Sequence, residues 1–107
     1  MHENTSRGTE EMSPGLARLV EVLALLPPGR LMTYGELARQ AALGSPRMSA
    51  RLLGQLPDRE RLPWWRIVNA QRRISEHGAQ DEQHQRLAEE GLLPDTRGRY
   101  PISAFWP

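Results

Sequence analysis

Arg47 and Arg51 stand four residues apart in a segment that opens with Ser45-Pro46, an N-cap followed by proline at the first helical position. On a helix they share one face, close to an N-terminus whose free N–H groups attract phosphate. That is the layout of a recognition helix, although two solvated arginines on an exposed face would show the same spacing. Trp64-Trp65-Arg66 lies between Pro63 and the β-branched pair Ile67-Val68. In an extended segment successive side chains face opposite ways, so one of the two indoles is expected to line a surface or a pocket. Indole faces stack on bases at roughly 1–3 kcal/mol per base; the competing reading is that both rings plug a small core. Tyr34, at the start of a helix, reads equally as an ordinary packed aromatic.

Other chemistries are excluded more firmly. The 107 residues contain no cysteine, which removes disulfides, thiolate metal sites and every thiol nucleophile. His2, His77 and His84 lack the spacing of a metal site, no serine sits in a nucleophile elbow, and no glycine-rich phosphate loop is present. Neither a metal nor a cofactor is expected. Lys+Arg 14 against Asp+Glu 13 gives a formal charge of +1, so no strong overall field announces a partner. All the basic residues are arginine, whose planar fork suits phosphates and base edges, but a GC-rich genome produces the same bias. No apolar run approaches the ~20 residues of a membrane span and no signal peptide is recognisable, so a soluble cytoplasmic protein with no membrane partner is expected.

The elements that must position these residues fit one small domain. Residues 1–12 are polar and aperiodic and read as a flexible leader; the domain is expected over 13–107. Ser13-Pro14 caps a helix carrying Leu16, Leu19, Val20, Leu23 and Leu26, stopped by Pro27-Pro28-Gly29. Thr33-Tyr34-Gly35-Glu36 has the form of a capping box, with Thr33 accepting from the Glu36 N–H and Glu36 reaching back. It opens a second helix that gives way at Leu43-Gly44, and Pro46 to Leu53, closed by Gly54, forms a third: a helix-turn-helix. The apolar stretches around 70–73 predict a β-hairpin or irregular wing. A polar helix over about Ala79 to Glu90 ends at Gly91, and the tail, with Tyr100, Ile102, Phe105 and Trp106, should fold back over the core.

Four segments in this order resemble one known family: Thr33-Tyr34-Gly35-Glu36-Leu37-Ala38, Ala50-Arg51-Leu52-Leu53-Gly54, Leu62-Pro63-Trp64-Trp65-Arg66-Ile67-Val68-Asn69 and Glu89-Glu90-Gly91-Leu92. Together they are similar to the C-terminal DNA-binding domain of O6-alkylguanine-DNA alkyltransferases, whose active-site signature is Pro-Cys-His-Arg-Val. Trp64 stands in place of the nucleophilic cysteine, Trp65 in place of the histidine, and Leu56 in place of an upstream asparagine. Indole has no thiolate to accept an alkyl group. The Pro-Trp-x-Arg pattern marks the alkyltransferase-like relatives, which bind alkylated guanine without repairing it.

The resemblance implies roles. Tyr34 would push on the target phosphate, and Arg51 would enter the duplex to fill the gap left by the extruded base, a step that costs a few kcal/mol. With Ser45, Arg47 and Arg66, the last of which would brace the loop or meet the backbone, these make the expected DNA-binding set. Trp64, Trp65, Val68, Asn69 and Ser75 make the expected lesion pocket, while Glu90 reads as a structural partner holding a loop. Tyr34 and Arg51 lie a few residues farther apart than is usual in the family, and Arg72 occupies a turn position where glycine is common.

The combined expectation is an α+β winged helix-turn-helix domain, mostly helical with a short β-hairpin. It would bind O6-alkylguanine in duplex DNA from the minor groove by nucleotide flipping, as a monomer and without alkyl transfer, and hand the lesion to nucleotide excision repair proteins. A winged-helix transcription regulator is the alternative; it would favour one operator and ignore alkylation, and would usually carry a dimerisation element. A glycosylase-like hydrolase would need a poised lysine or carboxylate, and lysine is absent.

Overall fold

The computed structural model describes residues 12–107; positions 1–11, nearly all of the expected leader, lie outside the described residues. Helix α1 spans Pro14–Leu25, with the Ser13 hydroxyl accepting from the Leu16 N–H at 3.2 Å. It buries the Leu16, Leu19 and Leu23 face that the spacing predicts. Strand β1 (Met32–Thr33) leads directly into α2 (Tyr34–Gln40), and α3 spans Pro46–Leu53. A 3-10 turn at Trp64–Arg66 enters strand β2 (Ile67–Val68); α4 spans Gln80–Glu89, and a last 3-10 turn covers Ile102–Ala104. The mixed, mostly helical class is as expected.

The sheet differs from the expected hairpin. Strand β2 pairs in parallel with β1, in the register Met32 to Ile67 and Thr33 to Val68, so the two strands are distant in sequence. The cause lies in Asn69, whose side-chain oxygen accepts from the N–H groups of Gln71 and Arg73. These amides are satisfied locally, and the turn closes on itself instead of sending a return strand along β2. The tail completes the layer: Leu31 bridges Phe105, Trp106 N–H donates to the Leu31 carbonyl, and Tyr100 is buried. Within the turn Arg72 has φ +65°, and its guanidinium donates to the Tyr100 carbonyl at 2.8 Å, so the tail holds this strained residue in place.

The helix-turn-helix is locked at both ends. Thr33 Oγ1 accepts from the Glu36 N–H at 3.0 Å, but Glu36 does not reach back; its carboxylate takes Arg39 and Gln40, leaving half a capping box. Ser49, fully buried, donates to the Tyr34 carbonyl and ties α3 to the start of α2. The left-handed residue that stops α2 beyond Gln40 is Ala42, with φ +56°, two residues before the expected Gly44. The Leu43 N–H reaches the Ala38 carbonyl and the Ala42 N–H the Arg39 carbonyl, a Schellman stop made without glycine. Arg18 on α1 donates to the carbonyls of Ala41 and Ala42 and holds the strained residue there.

Because the left-handed conformation costs an L-residue about 1–2 kcal/mol, Ala42→Gly is expected to stabilise the domain by about 0.5–1 kcal/mol after the gain in unfolded-chain entropy. A thermal melt should rise by roughly 2–8 °C. Gly54 keeps an ordinary right-handed φ of −71°, whereas Gly91 takes φ +81° and ends α4 as its position predicts.

Candidate nucleic-acid interface

The 3-10 geometry of Trp64–Arg66 decides where the two indoles go. Consecutive side chains on such a turn diverge by about a third of a revolution, so both rings are buried yet face different neighbours. Trp64 and Trp65 meet edge to face, with centroids 6.1 Å apart.

Trp65 turns toward α4. Its Nε1–H donates to Glu90 at 2.9 Å, and the guanidiniums of Arg66 and Arg86 lie 5.3 and 4.6 Å from its ring centre. Arg66 is buried: it donates to both Glu90 oxygens and, through Nη1, to the Leu26 carbonyl. Glu90 also accepts from the Gly29 N–H at 2.8 Å. Burial pushes the Glu90 carboxyl up, but the hydrogen bonds from Arg66, Trp65 and Gly29, with the charge of Arg66, outweigh it and hold the group below its ordinary value. Glu90 is therefore the structural partner expected of it. Of the two roles expected of Arg66, bracing a loop or meeting the DNA backbone, these bonds make it a brace.

Trp64 turns the other way and walls a cavity of about 170 Å³ between the helix-turn-helix and α4. Tyr34, at the first turn of α2, forms one edge; Ala50, Leu53 and Gly54 from the end of α3 form another. Arg59, His77, Ala79 and Gln83 complete the lining. The Arg59 guanidinium stands 4.3 Å from the Trp64 ring centre, and the His77 ring meets Trp64 edge-on at 6.0 Å.

A buried amide fixes the far wall. Gln83 Nε2 donates to the carbonyls of Trp65 and Ile67, so its oxygen must face His77 Nε2, 2.7 Å away, which donates to it. His77 Nδ1 in turn accepts from the Ala79 N–H.

Of the expected pocket, only Trp64 lines this cavity. Trp65 is on the Glu90 side, Val68 is fully buried in the parallel pair, Asn69 closes its turn, and Ser75 is half-buried outside the lining. Among the expected DNA-binding residues, Arg47 and Arg51 are exposed on α3, and Ser45 Oγ accepts from the Met48 N–H as an N-cap. Tyr34 lines the cavity, beside the α3 turn that carries Arg51.

Sequence reasoning missed Arg59, His77 and Gln83. For Gln83 a signal existed: it stands four residues before Leu87, so a polar side chain occupies the buried stripe of α4, and both are buried. Among the described residues no group of three or more histidines and acids could hold a metal, and no helix is long and apolar enough to cross a membrane.

Comparison with known proteins agrees with this architecture. Residues 16–92 match the family described as the 6-O-methylguanine DNA methyltransferase, DNA binding domain. A DNA base-flipping protein of Vibrio parahaemolyticus is 39% identical over 96 residues, covering 88% of this chain and 96% of that protein. Alkyltransferase-like protein 1 of Schizosaccharomyces pombe is 29% identical over 92 residues, covering 80% of this chain and 85% of that one. The solved structure of S. pombe Atl1 in complex with damaged DNA containing O6-carboxymethylguanine superposes with a TM-score of 0.75 at 24% identity, over 91% of this chain and 98% of its own, and shares the fold. The chain belongs to the family of 6-O-methylguanine DNA methyltransferase DNA-binding domains, as an alkyltransferase-like member.

Proposed function

We propose that this domain binds an O6-alkylguanine turned out of duplex DNA, holds it against Trp64 without taking the alkyl group, and flags the site for nucleotide excision repair proteins. One observation carries the reading: an indole walls a cavity where the resemblance puts a nucleophilic thiol, in a chain that has no cysteine. An enclosed cavity of about 150 Å³ takes a benzene ring. The cavity on Trp64 therefore accommodates one ring of a purine, with the rest in its open mouth. In this reading Tyr34, which lines the cavity, takes the phosphate, and Arg51 on α3 fills the vacated stack. The names of the relatives and the damaged DNA bound by the S. pombe neighbour support the same reading. The protein would act as a monomer in the cytoplasm.

The test compares one duplex carrying guanine with the same duplex carrying O6-methylguanine, by fluorescence anisotropy. A clear preference for the lesion is expected, whereas equal affinity with strong sequence dependence would return the domain to the class of operator-binding regulators.

Absence of transfer is tested separately. Trp64→Cys is expected not to restore methyl transfer, read by intact-protein mass after incubation with the lesion duplex and alongside a melt that verifies folding. A thiol there would have Trp65 as neighbour, whose Nε1–H is a donor committed to Glu90 and cannot take a proton. A mass gain of one methyl group on that variant would refute the argument.

A further inference from the structure

Arg59 has no part in the expected site, yet its guanidinium lies over the Trp64 ring and lines the cavity proposed to take the ligand. It belongs to the exposed loop joining α3 to the Trp64 turn. Its guanidinium is held 4.3 Å from the Trp64 ring centre; of the two acids that flank it in the chain, Asp58 is paired with Arg61 at 3.8 Å and Glu60 makes no ion pair with Arg59. Arg59 makes no hydrogen bond or ion pair among the described residues, so the stacked fork keeps its N–H donors available. Among the described residues lining the cavity Arg59 is the one permanent cation, and no carboxylate shares the lining.

Ala50, Leu53 and Ala79 make part of that wall apolar, which strengthens a charge interaction at the mouth. An anionic group on a flipped base would otherwise sit among the phosphates of its own duplex. A guanidinium stacked on the indole meets a carboxylate with two parallel N–H donors, a geometry that a methyl or a neutral amide cannot use as well.

From this placement we infer that Arg59 is a specificity-determining residue that selects O6 adducts ending in a carboxylate over neutral adducts of the same shape. The inference rests on the lesion-binding reading above and deepens it by naming the class of adduct.

The experiment uses the full chain and four otherwise identical duplexes, carrying guanine, O6-methylguanine, O6-carboxymethylguanine and its neutral isostere O6-carbamoylmethylguanine. The parent should prefer the carboxylate over the amide by about tenfold, the scale of one charge-assisted hydrogen bond. In Arg59→Ala that ratio should fall to about one, because affinity for the carboxylate adduct falls by more than affinity for its neutral isostere. Since Arg59 is exposed and makes no hydrogen bond, the melt of the variant should fall by no more than the few degrees that one exposed cation–π contact contributes. A ratio near one in the parent, or a ratio unchanged in Arg59→Ala, overturns the inference and leaves lesion binding intact. A loss of equal size on all four duplexes also overturns it, by making Arg59 a phosphate contact. Indifference of the parent to O6-methylguanine would instead remove the lesion-binding reading, and this inference with it.

Discussion

Glu90→Ala is expected to destabilise the domain by about 3–5 kcal/mol, the cost of breaking a buried ion pair and leaving one charge behind. Three donors lose their acceptor at once: the buried Arg66 guanidinium, the Trp65 Nε1–H and the Gly29 N–H. The Glu90 and Arg66 side chains are only 15% and 10% exposed, so water cannot step in freely. Against a total stability of roughly 5–15 kcal/mol for a domain, such a loss should lower the melting temperature by more than about 12 °C. Replacing Glu90 with glutamine keeps the shape and one acceptor, and should fall between parent and alanine.

The same carboxylate makes stability depend on acid. Its value in the folded protein lies below the ordinary 4.5, so its contribution is fully present above that pH. The contribution is lost as pH falls through the folded value. Glu36 and Asp95 are also held low, by hydrogen bonds above all, and contribute with the same sign. The difference between parent and Glu90→Gln isolates the single group: melts taken from pH 7 to 3 should converge below 4.5 as the parent loses its advantage. Parallel curves would mean that Glu90 is not linked to folding in this way.

What could be read from residues alone was what is local. Ser13, Thr33 and Ser45 announce their helices because a hydroxyl and the amide three residues on form a hydrogen bond within one turn. The cavity is not local. Its walls come from α2, α3, the Arg59 loop and α4, and nothing near Trp64 in the chain says that Gln83 will fix His77 beside it. The expected pocket followed the resemblance along the chain from Trp64 to Trp65, Val68 and Asn69, with nothing local to say which way each side chain turns. A single 3-10 turn instead sent Trp65 to the opposite side of the wall, and β2 took Val68 into the interior. The hairpin failed for a related reason: parallel pairing with Met32–Thr33 joins residues far apart in the chain, and the local turn at Asn69 mimics a hairpin without its ladder.

Arg51→Ala should weaken binding to an O6-methylguanine duplex about 10- to 100-fold, the range of a hot-spot residue, while changing stability little. Arg51 is exposed in the last turn of α3, where its charge favours the helix end by a few tenths of a kcal/mol. It lies in the chain between Ala50 and Leu53, both of which line the cavity, although Arg51 itself does not. Arg47, one turn earlier on the same face, also lies outside that lining and has no lining residue beside it in the chain, so it is suited to a phosphate. The two arginines should therefore fail differently. Arg47→Ala should reduce affinity for damaged and undamaged duplexes alike and lower the salt dependence by about one counterion. Arg51→Ala should lose more on the lesion duplex than on the undamaged one, because only a flipped base leaves a gap for it to fill. Anisotropy titrations of both variants against both duplexes, repeated at two salt concentrations, separate the effects. Equal losses for the two substitutions on every duplex would make Arg51 a second phosphate contact and leave the extruded state without a residue to hold it open.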